Sequence, residues 1–163
     1  MNEMPDRLTE NPEPAVRLGP ADIVALSSPY LGGGRKLESW RIEEVLIVDD
    51  SLTAVVSMDS VYLSGADGTG FHLSFITAME FVSQLQIIHM HAWAGLREKT
   101  REVWMLESGI KTIRPVRDRN RISVESHFKN IRKQGETYYS LAKHSVTDSQ
   151  DGLFEIWIKA LLS

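Results

Sequence analysis

The sequence predicts an α+β fold in which an antiparallel sheet wraps around one long buried helix. Two observations carry that reading. Residues 75–94 form an apolar segment with apolar side chains on nearly every helical face, the mark of a helix enclosed on all sides. Around it stand two extended runs before and four after, each bounded by turn-forming residues. The chain of 163 residues is long enough for one domain with a real core. Its 42% hydrophobic and 25% charged content is that of a globular protein.

Met1 to about Gly19 is polar and carries Pro5, Pro12 and Pro14, so residues 1–20 read as a flexible tail and 21–163 as a single domain. Asp22-Ile23-Val24-Ala25-Leu26 predicts a short helix with Asp22 or a neighbour near its cap. It ends before Ser28-Pro29, because a residue preceding proline avoids the helical region. Gly32-Gly33-Gly34 reads as a flexible connector and lacks the lysine and spacing of a phosphate loop. Leu37 to Val48 and Leu52 to Leu63, separated by Asp49-Asp50-Ser51, predict a hairpin. Gly65, Asp67, Gly68 and Gly70 make a loop into the long helix, which runs from about Ser74 to Ala94 and stops at Gly95.

The remainder reads as strands: Val103 to Val116, Arg121 to Lys133, Thr137 to Val146 and Leu153 to Leu162. In the last, Phe154, Ile156, Ile158, Ala160 and Leu162 alternate with Glu155, Trp157 and Lys159, the period-two pattern of a strand with one buried face.

Composition narrows the chemistry. Zero cysteines exclude disulfides, thiolate zinc sites and a cysteine nucleophile, and suit a reducing cytoplasm. A net charge of −4 gives nucleic-acid binding no support. Thr77, Glu80, Ser83, Gln84, Gln86, His89 and His91 interrupt the apolar segment too often for a membrane span, and no signal segment opens the chain. The expectation is a cytoplasmic protein with no membrane partner. His89-Met90-His91 is no metal pair, since residues two apart on a helix point to different faces.

Within the predicted buried helix a carboxylate is costly unless paired, hydrogen-bonded or protonated, so Glu80 calls for a reason. His72 and Glu80 form a reasonable acid/base pair, histidine titrating near neutrality and a desolvated glutamate being raised toward it. The alternative is that Glu80 joins a hydrogen-bond network with Thr77 and Gln84 while His72 is an ordinary loop residue. Ser74 fits a helix N-cap as well as a substrate contact. Tyr30 and Tyr62 suit either donation to a carbonyl or simple packing. Arg114, Arg117, Arg119, Arg121, Arg132 and Lys133 are either solvated strand ends or a receiver for acidic carrier surfaces or phosphates.

From about Ile23 onward the chain resembles the FcoT-like branch of hot-dog thioester enzymes. These are the type III acyl thioesterases and relatives that add glycine to an enoyl group on an acyl carrier protein. The family's Pro-Tyr element is similar to Pro29-Tyr30, and its second tyrosine to Tyr62. Its Gly-His-Phe-Asn loop is similar to Phe71-His72-Leu73-Ser74, and its helix Asn-Gln pair to Ser83-Gln84, serine standing for asparagine in both. The resemblance implies a hot-dog fold and an enzyme without cofactor or metal, active in fatty-acid-derived or secondary metabolism on acyl-ACP or acyl-CoA. It further implies a homodimer or higher oligomer with shared sites. On it, Glu80, His72 and Tyr62 are the catalytic candidates, and Tyr30, Ser74, Ser83 and Gln84 the substrate-binding ones. A second resemblance, to hot-dog β-hydroxyacyl-ACP dehydratases, rests on a loop histidine and a helix carboxylate four residues before a glutamine, here Glu80 and Gln84. The serine replacements keep a third reading open, a non-catalytic binder of acyl thioesters.

Overall fold

Alternating sequence patterns put one face of each strand against a single helix, and the computed structural model, which describes residues 17–63, 68 and 70–163, shows how. Two short helices, α1 (Pro20–Leu26) and α2 (Pro29–Gly32), lead through a 3-10 turn (Gly34–Leu37) into β1 (Ser39–Val48) and β2 (Ser51–Ser60). The long helix α3 (Phe75–Trp93) follows, then β3 (Val103–Arg114), β4 (Ile122–Gln134), β5 (Thr137–Asp148) and β6 (Leu153–Leu162). The strands form one antiparallel sheet in the order β1-β2-β4-β5-β6-β3, so the crossover through α3 sends β3 to the far edge.

Local chemistry sets the boundaries. Asp49 takes a positive φ of 52° in the two-residue turn of the β1–β2 hairpin, a conformation aspartate tolerates. Gly95, at φ 74°, ends α3, with Leu96 N–H donating to the His91 carbonyl at 2.9 Å. The inward residues Val56, Val124, Val146 and Ile156 pack with Phe81, Val82 and Leu85 of α3 into one core. Asp22 accepts the Gly19 N–H at 3.0 Å, capping α1 as its sequence suggests.

Three expectations need correction or fall elsewhere. The helix is not enclosed on all sides: the sheet of one chain covers one side of it, Glu80 and Gln84, one turn apart, form an exposed stripe, and Phe75 is exposed at the N-terminal end. Gly32-Gly33-Gly34 is no slack connector. Gly34 is buried with its Cα against the Tyr62 ring, where a Cβ would collide. Most of the proposed N-terminal tail, and the loop from Gly65 to Asp67, lie outside the described residues.

Candidate functional site

The N-terminal end of α3 meets the start of β1, and the polar residues of both converge there. Ser74 is the N-cap: its Oγ accepts the Thr77 N–H at 3.1 Å and donates to Thr77 Oγ1 at 3.0 Å. Thr77 Oγ1 in turn donates to Glu38 Oε2 at 2.8 Å. Across from them, the Tyr30 hydroxyl has two acceptors for one proton, Ser74 Oγ at 2.6 Å and Glu38 Oε2 at 3.0 Å. Tyr30, Glu38, Ser74 and Thr77 therefore form a closed hydrogen-bonded ring, in which the Tyr30 hydroxyl donates to either Ser74 or the Glu38 carboxylate.

Tyr62 stands beside this ring, its own ring centroid 6.4 Å from that of Tyr30 and held by the bare Cα of Gly34. His72 is exposed on the loop that precedes α3, and the Leu73 N–H anchors that loop to the Val116 carbonyl at 2.8 Å. Together Tyr30, Glu38, Tyr62, His72 and Ser74 line a polar cleft of about 170 Å³. A second, apolar groove of about 470 Å³ opens from the same end and shares Tyr30, His72 and Ser74 with it. Leu31, Phe75, Ile76, Ile113 and Phe154 line that groove. The positive end of the α3 dipole lies where the two meet.

Four of the seven site residues predicted from sequence, Tyr30, Tyr62, His72 and Ser74, are thus brought together, and three are not. Glu80 lies outside the cleft with a side chain 43% exposed, ion-paired to Arg35 and accepting the Trp40 Nε1–H at 3.2 Å. The expectation of a buried, desolvated Glu80 is corrected: helical rotation carries it from the Ser74–Thr77 face to the one beside β1. Ser83 bonds back to the Met79 carbonyl at 2.6 Å, satisfying its hydroxyl within the helix. Gln84 faces solvent.

Sequence reasoning missed Glu38, and it placed Thr77 in a network with Glu80 and Gln84, whereas the Thr77 hydroxyl bonds Glu38. Glu38 sits in a polar stretch with no motif around it, and only the chain's return to α3 gives it partners. The segment that bears Tyr30 and Glu38 is fastened to α3 at three points: Tyr30 to Ser74, Glu38 to Thr77, and Arg35 to Glu80.

The basic residues are dispersed. Arg114, at the apolar groove, is paired with Asp151, while Arg132 and Lys133 lie over the Tyr139 and Tyr138 rings. His89 stacks on Phe128 at 3.5 Å between centroids, and His91 bonds its own helix at the Ile87 carbonyl, so the two point apart. Among the described residues no helix is long and apolar enough to cross a membrane.

No family model matches this chain, and no curated protein does. Solved structures do. A mutant thioesterase from Pseudomonas aeruginosa superposes with a TM-score of 0.55 at 14% identity, over 79% of this chain and 84% of that one. A thioesterase from Haemophilus influenzae superposes with a TM-score of 0.54 at 11% identity, over 91% and 92%. A hypothetical thioesterase from Streptococcus pneumoniae, solved with coenzyme A, gives 0.50 at 12% identity, over 77% and 86%. At such identities the likeness speaks for architecture, and with the wrapped helix and the sheet order it establishes that the chain has the hot-dog fold.

Proposed function

We propose that this protein is an acyl-thioester-processing enzyme of the FcoT-like type, acting on a fatty acyl group carried by acyl carrier protein or coenzyme A. The observation that carries the reading is the Tyr30 hydroxyl, set between Ser74 and Glu38 at the N-terminus of the single wrapped helix. The hot-dog neighbours described as thioesterases, one solved with coenzyme A, support the substrate class.

In this reading the thioester carbonyl lies in the polar cleft and the acyl chain in the apolar groove beside it. Tyr30 and Tyr62 donate to the carbonyl oxygen, whose negative charge grows as a nucleophile adds, and the α3 dipole reinforces them. Glu38 accepts the proton of the incoming water, and hydroxide bonds to the carbonyl carbon. The tetrahedral intermediate then collapses, breaking the carbon–sulfur bond, and the proton passes to the departing thiolate. For an enoyl substrate, the same groups suit glycine addition. Glu38 takes a proton from the amine as its nitrogen bonds to the β-carbon, and the enolate oxygen is held by the tyrosines until the α-carbon is protonated. His72, at the mouth, suits proton exchange with solvent. Glu80 remains the competing base and Ser83 and Gln84 remain substrate contacts only if substrate or a partner chain remodels the exposed stripe of α3.

Incubation with saturated, enoyl and 3-hydroxyacyl thioesters of both carriers, with and without glycine, tests the assignment by mass spectrometry. Free acid or a glycine adduct is expected, and Tyr30→Phe should lower its rate at least tenfold by removing a donor to the developing charge. Dehydration of the 3-hydroxyacyl substrate alone would identify a dehydratase, and binding without turnover a non-catalytic binder.

A further inference from the structure

The outer face of the sheet, turned away from α3, is divided by charge. At one corner lies a depression of about 670 Å³ lined by Glu43, Glu44 and Glu125 around Leu46 and Val55. At the opposite corner lies one of about 660 Å³ lined by Arg132, Lys143 and Lys159 around Leu141 and Trp157, with Glu107 its lone carboxylate. Among the described residues, Glu44, Glu125, Arg132 and Lys143 make no ion pair, while Glu43 is taken by Arg41, and Lys159 reaches Glu107 only at 3.8 Å. Leu46 is 62% and Trp157 37% exposed, so each corner also presents apolar surface.

The register locates the two corners. Leu46 pairs with Thr53, Thr53 with Glu125, and Glu125 with Ser145 along one row of outward side chains. Further along the strands, Lys143 pairs with Trp157, and Leu141 with Lys159. The acidic corner is therefore on β1, β2 and β4, and the basic corner is diagonally across on β5 and β6.

We propose that a second copy of this chain docks on this outer face, the basic corner of each copy meeting the acidic corner of the other. A two-fold axis running diagonally across the sheet, near Ser145, satisfies both contacts at once, which is what an isologous interface requires. The same operation brings Leu46 toward the partner copy's aliphatic and aromatic surface around Leu141 and Trp157. Face-to-face packing of two sheets across a diagonal axis falls within the crossed arrangements sheets adopt. Unlike a neutral patch, this face names its occupant: its two halves complement each other and carry no net preference for a partner of one charge. The interface is separate from the cleft and stands whatever the activity.

Sedimentation of the full chain at low and high salt tests it, because exposed ion pairs are screened by salt. The expected result is a complex whose mass falls by half at high salt, and equally in a Lys143→Glu/Lys159→Glu variant at low salt. Adding Glu44→Lys and Glu125→Lys to that variant should restore the full mass, since the charges are then exchanged rather than removed. Because the chain has no cysteine, Ser145→Cys with a short bis-maleimide should join two copies covalently. A wild-type mass insensitive to salt and to charge reversal, or a fourfold variant no better than the twofold one, would overturn the proposal. Circular dichroism of each variant separates misfolding from dissociation.

Discussion

Glu38 reaches α3 from the segment before β1 and Glu80 stands on α3 itself, and the two carboxylates have different partners. Glu38 accepts from the Tyr30 and Thr77 hydroxyls beside the cleft, whereas Glu80 holds Arg35 and Trp40 on the exposed face. Glu38→Gln keeps the shape and one acceptor oxygen while removing the proposed base, so kcat should fall about a hundredfold or more with the melting temperature near wild type. Glu80→Gln weakens an exposed pair worth at most about 1 kcal/mol. Its effect on turnover should be the smaller one and appear mainly in KM, through looser anchoring of the segment that bears Tyr30. Steady-state kinetics of both variants decide the matter: abolished turnover in Glu80→Gln with an active Glu38→Gln would return the base to Glu80. Tyr30, Tyr62, His72 and Ser74 were legible because a resemblance pointed to them. Glu38 was not, because its meaning lies in contacts with Thr77 across the fold rather than in its neighbours along the chain.

At the scale of elements, all six strands and α3 were legible, since a period of two and a long apolar run leave few alternatives. What the run could not reveal was its direction: the same pattern arises whether a helix is enclosed by its own chain or is left open along one stripe. Ala78 shows the difference. It is fully buried toward the sheet, so Ala78→Leu should overpack the core by about 1–3 kcal/mol and lower the melting temperature. A leucine there should not tune acyl chain length, because the groove lies along Phe75, Ile76 and Ile113 instead. A second consequence lies where α3 packs on β4 and β5. His144 is buried, with Ser126 Oγ 2.8 Å from its Nδ1, and burial pushes its pKa down to about 4, the nearby His89 adding to the effect. His89 is lowered as well, by burial, against the opposing influence of the Asp49 backbone and the Asp50 charge. Unfolded histidine binds its proton near 6.5, so between about 6.5 and 4 the unfolded chain holds protons that the folded chain refuses. The contribution of His144 should therefore be full above pH 6.5 and fall, by roughly 3 kcal/mol, as the pH drops toward 4. Urea midpoints measured across this range should fall steadily, and His144→Phe should flatten the profile, whatever its effect on stability at neutral pH.

For the whole molecule, the two edges of the sheet decide how copies meet. At the β1 edge, Arg41, Glu43 and Glu44 surround a bulge between Ile42 and Glu44, devices that discourage strand pairing. At the other edge β3 is long, and Trp104, Met105, Leu106 and Ile113 on it are exposed, so unpaired backbone and apolar side chains coincide. An edge of that kind is covered most simply by the same edge of a second chain, antiparallel and two-fold, which joins two sheets into one. The apolar groove, whose wall includes Ile113 of β3, opens at this same edge. Homodimerisation through β3 should therefore complete the substrate groove as well as cap the edge. Trp104→Lys with Leu106→Lys places two charges on that edge without touching the core, and light scattering should show the mass halved while circular dichroism stays unchanged. Thioester turnover should fall with it, and rise again with protein concentration as the weakened dimer reforms. The outer-face substitutions at Lys143 and Lys159 should halve the mass without that loss, because neither side chain lines the groove and Trp104 and Leu106 are left in place. A wild-type chain that is monomeric and fully active at micromolar concentration would contradict both the edge dimer and a groove shared between copies.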